Sequence, residues 1–160
     1  MPGASRDRNT RRMDAYPPVP AADGFALRAA RLMGTAVALG LFAAAMWFAW
    51  LGWDREYYLV DGVSQGPYRT WQVLGCGLSI AVGSVVAYAW VRSVWAIFVL
   101  AAAADIGFAV PWTMHAISTD DTGLWVVGLL FLLVGVGSGL VAVLAVSAAV
   151  AARSAHRRTS

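Results

Sequence analysis

The stretch LWVVGLLFLLVGVGSGLVAVLAVSAAVAA, residues 124–152, carries no charged side chain from end to end. As a helix rising 1.5 Å per residue it is about 44 Å long, more than the roughly 30 Å hydrocarbon core of a bilayer. A surface helix of a soluble protein keeps one polar face for water, and this segment has none to offer. It predicts a membrane span with length to spare for tilting or for projecting beyond the bilayer.

Upstream lie three more apolar runs, from Leu32 to Leu51, from Trp71 to about Val91 and from Val94 to about Trp112. Each is close to the roughly 20 residues a transmembrane helix needs. Only Arg92 and Ser93 separate the second run from the third, so those two spans form a tight helical hairpin. With 59% of the chain hydrophobic, well above a soluble mixture, the expected fold is an all-α membrane protein, a bundle of four transmembrane helices. The membrane domain covers 23–152, with Asp23 placed to cap the first helix ahead of Phe25. Residues 1–22 combine Arg6, Arg8, Arg11 and Arg12 with Pro17, Pro18 and Pro20, the composition of a disordered tail. Residues 153–160 form a short basic tail. Thr10-Arg11-Arg12 has the form of a twin-arginine export signal, but no apolar stretch follows promptly, so the first span reads as a retained one.

Orientation follows from the arginines, because basic residues near span ends stay in the cytoplasm. All 12 basic residues are arginine. On one side of an even-span topology fall ten of them: Arg6, Arg8, Arg11, Arg12, Arg28, Arg31, Arg92, Arg153, Arg157 and Arg158. The other side holds Arg55 and Arg69 beside Asp54, Glu56, Asp61, Asp120 and Asp121. Both termini are therefore expected in the cytoplasm of a multi-pass cell-membrane protein, with the two larger loops outside. Trp50, Trp53, Trp71, Trp112 and Trp125 fall at the expected outer boundary and Trp90 and Trp95 at the inner hairpin, as an interfacial aromatic belt would place them. Arginine without lysine, in an alanine-, valine- and glycine-rich chain, points to a GC-rich genome and so to a bacterial origin.

Lipid tails give helices no hydrophobic reason to associate, so close packing depends on small residues. Gly75, Ser79, Gly83 and Ala87 recur every four residues along the second span, and Gly135 and Gly139 make a GxxxG pair on the fourth, continued by Ser138 and Ala142. Both faces are expected to pack within the chain.

Asp105 is the one acid inside an apolar run, where an ionised carboxylate costs about 2.5–3.5 kcal/mol at a helix centre. Ser79, at similar depth on the neighbouring span, is its expected hydrogen-bond partner if the two faces meet. Together they form a candidate intramembrane polar site, read either as a proton- or cation-linked carboxylate or as an interhelical clasp. Gly107 and Pro111 add a predicted kink beside it. In the first outer loop Tyr57 to Val60 and Val63 to Gln65 flank Asp61-Gly62, a turn dipeptide, which predicts a short β-hairpin. Tyr57, Tyr58, Asp61 and Tyr68 are its candidate recognition residues.

Other chemistry finds little support. His115 with Asp120 and Asp121 matches no metal-ligand spacing, and Ser64, Ser84 and Ser138 have no histidine partner for nucleophilic catalysis. Cys76 is the single cysteine and lies within a span, which excludes an intrachain disulfide or a thiol pair. A lysine-free chain has no Walker-type phosphate loop. The reading therefore points away from an enzyme and assigns no cofactor, no metal and no nucleic-acid partner. Its partners are the lipid bilayer and either a second copy or another membrane protein.

Residues 65–76, Gln-Gly-Pro-Tyr-Arg-Thr-Trp-Gln-Val-Leu-Gly-Cys, resemble a stretch of small uncharacterised four-span membrane proteins of high-GC Gram-positive bacteria. The resemblance implies a four-span fold and no activity. The leading expectation is a non-enzymatic accessory or scaffold component acting through helix packing and its outer loop. The competing one is a small homodimeric transporter or channel built around Asp105.

Overall fold

A computed structural model describes residues 21–53, 58–60, 63–65, 68–120 and 122–157. By its contacts the chain divides into Met1–Arg31 and Leu32–Ser160. In the first unit the described residues are the opening turns of helix α1 (Ala21–Trp50), with Phe25 and Leu27 exposed. Helix α1 begins ahead of Asp23, so that residue lies in its first turn instead of capping it. The second unit continues with strands β1 (Tyr58–Val60) and β2 (Val63–Gln65), then helices α2 (Thr70–Val91), α3 (Val94–Thr119) and α4 (Trp125–His156).

All four helices are long and apolar enough to cross a membrane, and α4 is the most apolar. Their exposed sides carry Val37, Leu41, Leu78, Val82, Phe98, Ile106, Leu130 and Phe131, an apolar surface of the kind that suits lipid. The interior is small-grained by comparison. Ala36, Leu39, Ala43 and Trp47 line the buried side of α1, and Gln72, Cys76, Ile80 and Ser84 line that of α2 at every fourth position. Helix α3 buries Ala96, Leu100, Ala101, Ala104, Asp105 and Ala109; α4 adds Leu140 and Leu144.

Helix α3 does not end near Trp112 but passes through Pro111 to Thr119. The polar residues expected in a loop stay helical because their hydroxyls turn back on the helix. Those of Ser118 and Thr119 both donate to the His115 carbonyl, at 2.7 and 3.0 Å, satisfying acceptors that a helix end otherwise leaves to water. Arg92 makes the sharp turn between α2 and α3 in the left-handed region, φ 48° and ψ 55°, its amide donating to the Tyr88 carbonyl. Hereafter this is the turn end, and the opposite end, where α1 and α3 finish and α2 and α4 start, is the loop end.

In the loop-end connection β1 and β2 are antiparallel, with Leu59 opposite Ser64 and Val60 opposite Val63. Asp61 and Gly62, read as the turn, lie outside the described residues. The Arg/Pro-rich stretch before Ala21 and the end of the basic tail lie outside them as well.

Candidate functional site

The packing of α1 onto its neighbours sets the frame for everything polar. A Cβ built on Gly75 of α2 meets the Trp50 ring of α1 at 2.5 Å, and one on Gly83 meets the Phe42 ring at 2.6 Å. The two glycines are sockets for aromatic knobs. Ser79, between them, donates its hydroxyl to the Gly75 carbonyl at 2.7 Å, and Ala87 packs half-buried against the core. A tighter approach than at these sockets involves two other glycines. A Cβ on Gly107 of α3 would run into the backbone of Gly40 on α1, and one on Gly40 would meet the Ala103 carbonyl oxygen at 3.1 Å. Backbone meets backbone there, as in small-residue crossings of membrane helices.

Gly40 and Gly107 went unremarked as packing residues in the sequence, where Gly107 stood only for a kink. The signal was present in Ala36-x-x-x-Gly40 and Ala103-x-x-x-Gly107, two small pairs at spacing four.

Asp105 sits one turn along α3 from Ala101 and faces α4. Its side chain is only 6% exposed. Gly137 makes room for it, since a Cβ there would stand 2.9 Å from Oδ2. The other carboxylate oxygen, Oδ1, is buried with no hydrogen-bond partner among the described residues. Ser79 does not supply one, because its hydroxyl is spent within α2. Two other buried polar side chains differ, since Gln72 accepts the Arg69 amide at 2.7 Å and Ser84 donates to the Ile80 carbonyl at 2.8 Å, whereas the buried Trp47 Nε1 shares the lack of a partner among the described residues. Gly137, flanked by Gly135 and Gly139 in sequence, is the member of that series that meets another helix.

The outer pair itself differs from expectation. Gly135 and Gly139 have nothing within 4 Å of where a Cβ would stand, and with Ser138 and Ala142 they are exposed. A helix presents one side to its neighbours, and on α4 that side is taken by Gly137, Leu140 and Leu144. The GxxxG face is therefore left pointing away from the described helices.

At the loop end a notch of about 730 Å³ is lined by Tyr68, Trp112, His115, Thr119, Asp120 and Trp125. Gly128 admits the Trp112 ring, which a Cβ would meet at 2.9 Å. The two chemically active-looking side chains here hold the structure together. Asp120 accepts the Thr122 hydroxyl and amide through Oδ1 and the Trp125 amide at 2.7 Å through Oδ2, which starts α4 as a capping carboxylate does. Those bonds, led by the Thr122 hydroxyl, hold its carboxyl below the usual range. The His115 ring lies against Trp47, centroids 5.8 Å apart. Among the described residues no three His, Cys, Asp or Glu side chains gather as a metal site. Tyr68 reaches the notch; Tyr57 and Asp61 lie outside the described residues, as does the side chain of Tyr58. The structure thus brings Tyr68 to the loop-end surface and keeps Asp105 apart from it, buried between α3 and α4.

Comparison with protein-family models, with curated proteins and with solved structures found no match to this chain.

Proposed function

We propose that this chain is a non-enzymatic accessory or scaffold component of a cell membrane, which binds another membrane helix along the open face of α4. The observation that carries this reading is the vacancy at Gly135 and Gly139, exposed beside Ser138 and Ala142 on the most apolar helix. Small residues at spacing four allow a second helix to approach closely enough for van der Waals contact to replace lipid. The occupant is a second copy or a different membrane protein. The arginine distribution supports an orientation with both termini in the cytoplasm and the loop end outside, so the Tyr68 notch and the β1–β2 segment form the outward recognition surface.

Cysteine crosslinking in native membranes tests the proposal. Ser138→Cys is expected to give a crosslinked species that Leu78→Cys, on the exposed side of α2, does not give, and Gly139→Leu should abolish it without altering folding. Equal crosslinking from both sites, or from neither, overturns the reading.

A second reading has its own observation, the buried and unpartnered Oδ1 of Asp105. Ionisable groups inside membranes are rare and can mark ion or proton routes, and a homodimer across α4 would place two such carboxylates on either side of one interface. Proton or cation flux into liposomes that Asp105→Asn eliminates would establish this reading. Flux that is indifferent to the substitution, or absent in both proteins, would dispose of it.

A further inference from the structure

At the turn end α2 and α4 do not close on each other. Between them runs a groove of about 310 Å³, its walls formed mainly by Val85 and Ala89 on one side and Ala148 and Ala151 on the other. Its polar mouth holds Tyr88 and Arg92. Ser147 also lines it, but its hydroxyl is committed to the Val143 carbonyl at 2.8 Å. The Arg92 Nε donates to the Ala89 carbonyl at 3.1 Å, which fixes the guanidinium at the mouth and leaves its Nη donors without partners among the described residues. The Tyr88 hydroxyl likewise has none there.

The backbone at Arg92 makes the choice of residue informative. It is the only non-glycine residue with positive φ among the described residues. That conformation suits glycine and disfavours a Cβ, and a left-handed residue just past a helix end is usually glycine. A cation near the C-terminus of α2 gains from the helix dipole, yet any arginine in the turn would provide that. What distinguishes this one is its position over an apolar groove, with a planar donor fork that matches phosphate oxygens.

We infer that the groove between α2 and α4 binds one anionic phospholipid, its phosphate on Arg92 and the Tyr88 hydroxyl and an acyl chain along Val85, Ala89, Ala148 and Ala151. Positive mouths between membrane helices on the cytoplasmic side suit anionic headgroups, and the arginine count assigns this end to that side. The lipid's chain fills space that the alanines leave empty, and its charge answers a guanidinium that meets no carboxylate among the described residues. The site is separate from the open face of α4 around Gly139, so either assignment can fail without the other.

Native mass spectrometry of the full chain, released from phosphatidylcholine nanodiscs containing increasing phosphatidylglycerol, reads retained lipid directly. The wild-type chain is expected to keep one phosphatidylglycerol in preference to phosphatidylcholine. Arg92→Gly should reduce that preference about tenfold. Because glycine suits the backbone at this position, the variant should melt no lower than wild type in phosphatidylcholine alone. Ala148→Phe keeps every charge, fills the groove and should also lose the bound lipid. A preference that survives both substitutions overturns the inference. So does a preference lost with Arg153→Gln and Arg157→Gln but kept in Ala148→Phe, since that pattern belongs to diffuse attraction of the basic tail.

Discussion

Gly40 with Gly107 and Gly135 with Gly139 are the same residue type in apolar helices, and their surroundings are opposite. At the first pair two backbones touch and no Cβ fits; at the second a Cβ would meet nothing within 4 Å among the described residues. Both sit in small-residue repeats at spacing four, so the repeat alone says that a face permits close approach and not that anything approaches it. The difference lies in which side of each helix the neighbours occupy. On α4 that side belongs to Gly137, which takes in the Asp105 carboxylate, and the outer glycines remain for a partner or for lipid.

The sharpest way to break this comparison is alanine at each site. Gly107→Ala must push α1 and α3 apart and is expected to cost about 3 kcal/mol, measured by unfolding in mixed dodecylmaltoside and sodium dodecyl sulfate micelles. Gly139→Ala should cost nothing in the same assay. Equal losses would mean that the open face is not open. Next in size, Gly75→Ala presses on the Trp50 ring, whose far edge can swing aside, so its expected cost is about 1.5 kcal/mol. In a Trp50→Ala background that cost should largely vanish, a coupling that a double-mutant cycle isolates. If Gly75→Ala costs the same in both backgrounds, the socket is not what the glycine provides.

Asp105→Ala tests the buried oxygen beside Gly137. Removing an unsatisfied buried group is expected to raise stability by about 1 kcal/mol, and a marked loss would reveal that the carboxylate has a partner. The smallest effect concerns Asp120, at the start of α4. Its folded carboxyl lies below the usual range, so the stabilisation it gives is present above the unfolded value of about 3.9 and fades as pH falls through the folded value. Amide exchange at Thr122 and Trp125 should accelerate across that acid window in wild type. Asp120→Asn should show faster exchange already at neutral pH and no such window.

Much of the architecture was legible because the signal is thermodynamic and local. Runs without charge, such as residues 124–152, have no alternative but a helix in lipid, where every backbone group must be bonded internally. The two-residue gap at Arg92-Ser93 left no other course than a tight turn. The end of α3 was less legible. Trp112 reads as a boundary, but Ser118 and Thr119 satisfy the helix from within. For the candidate site, the sequence singled out Asp105 as the unusual residue by its chemistry, and the structure buries it against Gly137. It could not supply the neighbour, since Gly137 and Ser79 are equally plausible small residues until helix rotation is known.

The number of apolar spans, their helical type and the location of the one acidic side chain within them therefore came from the amino-acid sequence alone, because each depends on the free energy of transferring a short segment out of water. Which side of each helix faces its neighbours was decided only by the tertiary structure. Rotation about a helix axis hardly changes transfer into lipid when apolar residues surround the helix on every side. It is set by how Trp50, Phe42, Gly40 and Asp105 fit the particular gaps opposite them.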